Sequence, residues 1–168
     1  MRIGLAGSGG TGKTELSRAL SRGLKVSRIK DGVRVWAGEN RRMQTEILEQ
    51  KINQELATES YVADGTSIDA MACALRWLGR EPDINEWMSE YVPKCLRHAV
   101  EAYDMIFVLP WGVFPADMPW YQLEIQLLIE GTILNHPVLH SKSRVVLEKS
   151  VAGRYDEIIS LISSPNLR

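Results

Sequence analysis

Gly7, Ser8, Gly9, Gly10, Thr11, Gly12, Lys13 and Thr14 spell GxxxxGK[ST] directly after the apolar run at residues 3–6, and they open an amphipathic stretch carrying Leu16 and Leu20 on one face. The chemistry that needs this spelling is capture of a polyphosphate. A glycine-rich turn lets successive backbone N–H groups converge on an anion where side chains would block the approach, and the helix that follows adds its N-terminal dipole. In that setting Lys13 reaches the β- and γ-phosphates and Thr14 coordinates Mg²⁺, so ATP and Mg²⁺ are the expected cofactors.

Phosphoryl transfer also needs an acid and further positive charge. Asp64 is the acid with the best placement: a carboxylate beside the ion and the γ-phosphate accepts a proton from an attacking hydroxyl or holds Mg²⁺. Asp64-Gly65 also reads as an ordinary turn. Arg34, Arg41 and Arg42 follow the second predicted strand, where an acceptor enters, and Arg34 and Arg41 are the candidates for charge neutralisation. A solvated helix face accounts equally well for Arg42 or Lys51. Trp36, Trp111 and Trp120 fall in predicted loops or helix starts, where they stack on a base or fill part of the core. His136 and His140 share i,i+4 spacing, but Pro137 interrupts a helix there and no acidic or cysteine partner is near, so a metal site is not expected.

These side chains need elements to hold them, and the hydrophobic pattern supplies strands and helices in alternation. Strands are predicted at residues 2–6, 25–29, 61–64, 105–109 and 144–147. Helices are predicted at 13–22, at 39–56 through Met43, Ile47, Ile52 and Leu56, and through Met71, Leu75 and Leu78 to Gly79. Others run to about Ala102, through Leu123, Leu127, Leu128 and Leu134, and over 151–162. Thr66 with Asp69 forms a capping box, and Asp83 with Glu86 suggests a second helix start. Residues 110–119 hold three of the seven prolines and read as a loop. A βαβα order argues for a parallel sheet with helices on both faces, whose ligands collect beyond the carboxyl ends of the strands. Asp64 then shares the edge of the phosphate loop, and Asp104, which precedes its strand, lies at the opposite edge as a turn or capping residue.

Composition sets the remaining bounds. The 168 residues are 45% hydrophobic and 24% charged with a formal net charge of −1, which suits one domain and gives no global drive toward nucleic acid or an anionic membrane. Two cysteines, Cys73 and Cys95, without CxxC spacing point to a reducing compartment and buried thiols. No signal peptide or membrane span is read, so a cytoplasmic protein is expected, as one domain over residues 1–168. The apolar residues Met71, Leu75, Trp77 and Leu78 suit a core or a homodimer contact.

The sequence resembles the P-loop kinases of small molecules, in the branch around nicotinamide riboside kinase-like and thymidylate kinase-like proteins. The resemblance is carried by Gly7 through Thr14, the helix with Gln44-Thr45-Glu46-Ile47-Leu48, the stretch Tyr61-Val62-Ala63-Asp64-Gly65-Thr66-Ser67-Ile68-Asp69, the stretch from Tyr103 to Pro110, and residues 146–154. It implies an α/β P-loop NTPase fold, a mostly parallel five-stranded sheet sandwiched between helices. The implied activity is an ATP- and Mg²⁺-dependent kinase of a nucleoside, nucleotide or related compound. A modified nucleotide within DNA is an alternative acceptor, as for phage-type kinases, and a P-loop ATPase or nucleotide-binding regulator is a further reading. The family's adenine-contacting loop corresponds to Lys149, Ser150 and Val151, with Arg154 opening the next helix and able to stack there. Two departures stand out: the family's Asp-Arg-Ser is Asp64-Gly65-Thr66-Ser67 here, and no arginine or lysine lies between Arg97 and Lys142, where the family's lid carries arginines. Charge must then come from Arg34, Arg41, Arg42, Arg76, Arg80 or a partner subunit.

Overall fold

The computed structural model describes residues 1–30, 40–111 and 119–164. Five strands, β1 (Arg2–Ala6), β2 (Ser27–Ile29), β3 (Tyr61–Asp64), β4 (Met105–Val108) and β5 (Ser143–Val145), form one sheet in the order β2-β3-β1-β4-β5, and every pairing is parallel. Parallel neighbours require crossovers. These are supplied by α1 (Lys13–Leu24), α2 (Arg41–Leu56), α3 (Ser67–Leu78), α4 (Ile84–Ala102), α5 (Trp120–Asn135) and α6 (Pro137–Lys142), and α7 (Val151–Ser163) follows β5.

Strand alternation sorts the core into two layers. Ile3, Leu5, Val62 and Phe107 point to one face and pack with Leu16 and Leu20 of α1 and Ile158 of α7. Tyr61, Ala63, Ile106 and Val108 point to the other, against α2, α3, α4, α5 and α6. The same parity decides where the functional groups go. Asp64 follows Val62 by two residues and Arg28 is in register with Val62, so both side chains fall on the α1 face beside the phosphate loop.

Helix boundaries follow their caps. Thr66 and Asp69 form the expected capping box, with the Thr66 hydroxyl accepting from the Ile68 and Asp69 N–H groups. Asn40 caps α2 by accepting from the Met43 N–H. Several expectations are corrected. Asp83 takes φ 59° and makes no side-chain cap bond, so α4 begins without the expected cap. The second strand is shorter than residues 25–29, because Lys25 (φ 55°) closes α1 in the left-handed region. Pro137 does not abolish helix: its missing N–H costs nothing at the first position, and it starts α6 with His136 as cap. The strand expected at 144–147 is Ser143–Val145, because α6 delivers the chain one residue earlier.

Lys51 is not on a solvated face. It is buried, donates to the Gly65 carbonyl at 2.8 Å, and pairs with Glu55 at 2.9 Å. Glu55 also accepts from the Tyr103 hydroxyl and pairs with His98. Burial by itself raises a carboxyl pKa, but the bond with His98 and the charge of Lys51 outweigh it and hold Glu55 below its ordinary 4.5. A carboxyl depressed on folding contributes stability in full above that value and loses it as pH falls through the folded one. Acid titration of Tm is therefore expected to show a loss below about pH 4.5 that Glu55→Gln flattens. Glu55→Ala leaves buried Lys51 without its carboxylate and is expected to cost about 3–5 kcal/mol, read from urea unfolding.

Cys95 is buried, with its thiol pushed up to about 12 by burial, and neither it nor Cys73 is in a disulfide. Of the apolar α3 residues, Met71 and Leu78 are buried, and Leu75 packs against the same core. Among the described residues no helix is long and apolar enough to cross a membrane.

Candidate functional site

The loop between β1 and α1 takes its shape from its glycines. Gly12 (φ 87°) is the N-cap of α1, and Gly10 (φ 82°) has no room for a side chain, since a Cβ there would stand 2.7 Å from the Trp111 ring. Trp111 also donates its indole N–H to Ser8 Oγ at 2.6 Å, so the ring lies against the outer turn of the loop. Lys13 is buried and folds back over the same turn. Its Nζ donates to the carbonyls of Gly7 and Ser8, the latter at 2.9 Å, and stands 3.7 Å from Asp69 Oδ1. Thr11 donates its hydroxyl to the Ser8 carbonyl.

Asp69 does more than close the capping box. One oxygen accepts from the Thr66 N–H and hydroxyl, while the other accepts from the Gly7 N–H at 2.9 Å. The start of α3 is thereby tied to the start of the loop. Two α5 glutamines also reach it: Gln126 Oε1 accepts from the Ser8 N–H at 2.7 Å and Gln122 Oε1 from the Gly9 N–H at 2.8 Å.

Arg154, expected near a base, has its guanidinium turned to backbone. It donates to the carbonyls of Thr11, Glu148 (2.7 Å) and Pro110 (3.2 Å), linking α7, the loop and the end of β4. Burial lowers its pKa below that of a free guanidinium, with Glu157 opposing. Ser150 caps α7 through the Gly153 N–H. Arg154→Met leaves three carbonyls without that donor and is expected to lower stability by about 1–3 kcal/mol, measured as a shifted urea midpoint.

Asp64 is buried at the end of β3 on the edge that carries the loop. Arg28 of β2 forms an ion pair with its Oδ2 and donates Nε–H to Ser17 Oγ at 2.7 Å, and Ser17 in turn donates to the Thr14 carbonyl at 3.0 Å. A side-chain chain therefore runs from Asp64 to the first turn of α1. Among the described residues Asp64 Oδ1 is buried and accepts no hydrogen bond. A desolvated carboxylate oxygen is a donor suited to a hard cation or an incoming hydroxyl.

The other expected residues scatter. Arg41 pairs with Glu81 at 3.0 Å and donates to the Pro82 carbonyl at 2.9 Å, bracing the α2 start against the turn before α4. Arg42 is exposed and pairs with Glu46, as a solvated face predicts. Arg76 pairs with Glu124 and lies over the Trp77 ring. Arg34 and Trp36 lie outside the described residues, and Trp120 is 78% exposed. His136 accepts from the Leu139 N–H as the α6 cap. Asp104 holds Arg2 at the opposite edge, at 2.8 Å.

Arg28, Gln122 and Gln126 escape sequence reasoning. Arg28 sits in a three-residue strand with no readable period, and the glutamines look like the polar side of a leucine-bearing helix. The one available signal for the glutamines is their i,i+4 spacing within the segment that lacks arginine and lysine.

Solved structures share this architecture. Deoxyadenosine kinase from M. mycoides with bound dATP matches at TM-score 0.70 and 17% identity, over 98% of this chain and 100% of that one. Thymidylate kinase from Ehrlichia chaffeensis matches at TM-score 0.65 and 14% identity, over 97% and 98%. NadR protein in complex with NR matches at TM-score 0.66 and 18% identity over 95% of this chain and 49% of that one, so the chain spans about half of NadR. No family model and no curated protein matches. The fold is that of the P-loop nucleoside and nucleotide kinases.

Proposed function

We propose that this chain transfers the γ-phosphate of ATP to a hydroxyl or phosphate of a nucleoside, nucleotide or related small molecule. The observation that carries the reading is the buried Asp64 Oδ1, without a hydrogen-bond partner among the described residues, on the same edge as the phosphate loop, with its sister oxygen already held by Arg28. The names of the structurally similar proteins, kinases with bound dATP or acting on thymidylate, support a nucleotide-type acceptor.

Each group has a part in that reaction. Lys13 leaves the Gly7 and Ser8 carbonyls for the β- and γ-phosphates, which neutralises charge where it builds up. Asp64 Oδ1 receives the acceptor's proton as its oxygen bonds to the γ-phosphorus and the bond to the β-phosphate oxygen breaks, releasing ADP. The Thr14 hydroxyl, and Asp64 Oδ1 through water before the acceptor arrives, would hold Mg²⁺, whose chemistry is neutralisation of the phosphate oxygens. Arg28 holds Asp64 so that a single oxygen faces the acceptor. For Arg41 the ion pair with Glu81 favours bracing of the acceptor side over contact with phosphate, which leaves Arg34 as the candidate for charge neutralisation.

The test is ATP consumption with Mg²⁺ across nucleosides, nucleoside monophosphates, nicotinamide riboside and oligonucleotides. Stimulation by one acceptor class names the substrate. The second reading, a nucleotide-gated regulator or slow ATPase, is favoured by the run from residue 98 to 141 without lysine or arginine. It predicts ATP binding with turnover that no acceptor changes.

A further inference from the structure

The phosphate loop is occupied by the chain's own groups. The Ser8 and Gly9 N–H groups donate to carboxamide oxygens at 2.7 and 2.8 Å, and Lys13 donates to the loop's own carbonyls. A carboxamide oxygen here takes the place of a phosphate oxygen, since it meets the same backbone donors. The two glutamines are held differently. Gln126 is buried and anchored twice more, by donating to the Leu109 carbonyl at 3.3 Å and to Glu130 Oε1 at 2.6 Å. Gln122 is half-buried and reaches the loop through the Gly9 bond. Gly9 allows the approach: a Cβ there would stand 2.9 Å from Gln122 Nε2.

A carboxamide carries an acceptor and two donors on one planar group, and rotation about its last bond exchanges them. When a terminal phosphate takes the Gly9 N–H, the displaced oxygen has lost its donor, and a half-turn brings Nε2–H toward the phosphate in its place. We propose that Gln122 is the terminal-phosphate residue of this site: it closes the empty loop through Oε1 and, on ATP binding, donates Nε2–H to the γ-phosphate. It thereby serves as a neutral substitute for the cations absent from residues 98–141. The inference rests on the kinase reading. The neighbours of Gln122 on α5 also engage α3: Tyr121 packs on Trp77 with ring centroids 5.1 Å apart, and Glu124 pairs with Arg76.

The test compares ATP and ADP affinity by calorimetry, with acceptor-dependent kcat, in wild type, Gln122→Ala and Gln122→Glu. ADP has no γ-phosphate, so a γ-contact shows in the ATP-to-ADP affinity ratio. Loss of one hydrogen bond to a charged group is expected to lower that ratio and kcat about 10- to 100-fold in Gln122→Ala. Gln122→Glu keeps an acceptor for the Gly9 N–H, and so keeps the loop closed and the fold intact, but it has no N–H to give. Its ATP affinity is expected to fall at least about 100-fold and its ADP affinity by much less. A purely structural role predicts a Gln122→Ala variant with the wild-type ratio, because it removes the N–H without adding charge. An unchanged ratio in Gln122→Ala overturns the inference and leaves the kinase reading standing. A wild-type chain that binds neither nucleotide overturns both.

Discussion

Replacing Lys13 by alanine is expected to lower phosphoryl transfer at least about 10³-fold while leaving the chain folded. The two halves of that expectation have separate physical grounds. In the empty loop Nζ satisfies two backbone carbonyls and stands 3.7 Å from Asp69, so the variant loses bonds confined to the loop and the start of α3. The sheet and both core layers are built from residues the lysine does not touch. In the proposed reaction, however, no lysine or arginine lies between Arg97 and Lys142 to share the work, so Lys13 carries a large part of the charge neutralisation at the γ-phosphate. A chain with lid arginines tolerates the loss of one cation better than this one. Steady-state kinetics with circular dichroism on the same preparation read both halves, and a variant with more than a tenth of wild-type turnover contradicts the account.

Asp64→Asn is expected to reduce transfer by about 10²–10⁴-fold, the range of a lost general base. The substitution keeps shape and a carbonyl oxygen but can neither take a proton nor balance Arg28, which pairs with Asp64 Oδ2 and bonds Ser17. The affinity for Mg²⁺-ADP separates the two uses of the carboxylate. If it is unchanged while transfer is lost, Asp64 acts on the acceptor. If it falls in parallel, its work is at the ion. Arg28→Met approaches the same pair from the other side: it leaves a buried carboxylate unpaired, with an expected stability cost of about 3–5 kcal/mol. The double variant Arg28→Met with Asp64→Asn is then expected to be more stable than Arg28→Met alone, because no buried charge remains.

How far the residues announce this arrangement depends on whether their partners are local. The phosphate loop, the capping box of Thr66 and Asp69, and the central strands β1, β3 and β4 are legible because each is a short contiguous pattern: a motif, a four-residue box, an apolar run. The edge strands β2 and β5 are three residues each, too short to display a period, and both were displaced at their ends. Arg28 is lost with β2. It reads as the polar member of a weak strand, and its partner Asp64 is 36 positions away. Lys51 reads as part of a solvated helix face, and nothing local marks Glu55 as its buried partner. Their burial is set by His98 and Tyr103, 43 and 48 positions from Glu55, which no local pattern shows. Gln122 and Gln126 meet the loop from more than 110 positions away, after a five-strand sheet has brought α5 over it. Asp69 was legible as a cap but not as the acceptor for Gly7, since its second oxygen has a use only when β1 and β3 are neighbours.

The most direct test of the central claim is to follow the label from γ-labelled ATP in the presence of Mg²⁺ and each acceptor class, with Lys13→Ala beside wild type. The account predicts label on a nucleoside or nucleotide acceptor in wild type and none in the variant. Label found solely in inorganic phosphate, at a rate indifferent to every acceptor, would contradict it.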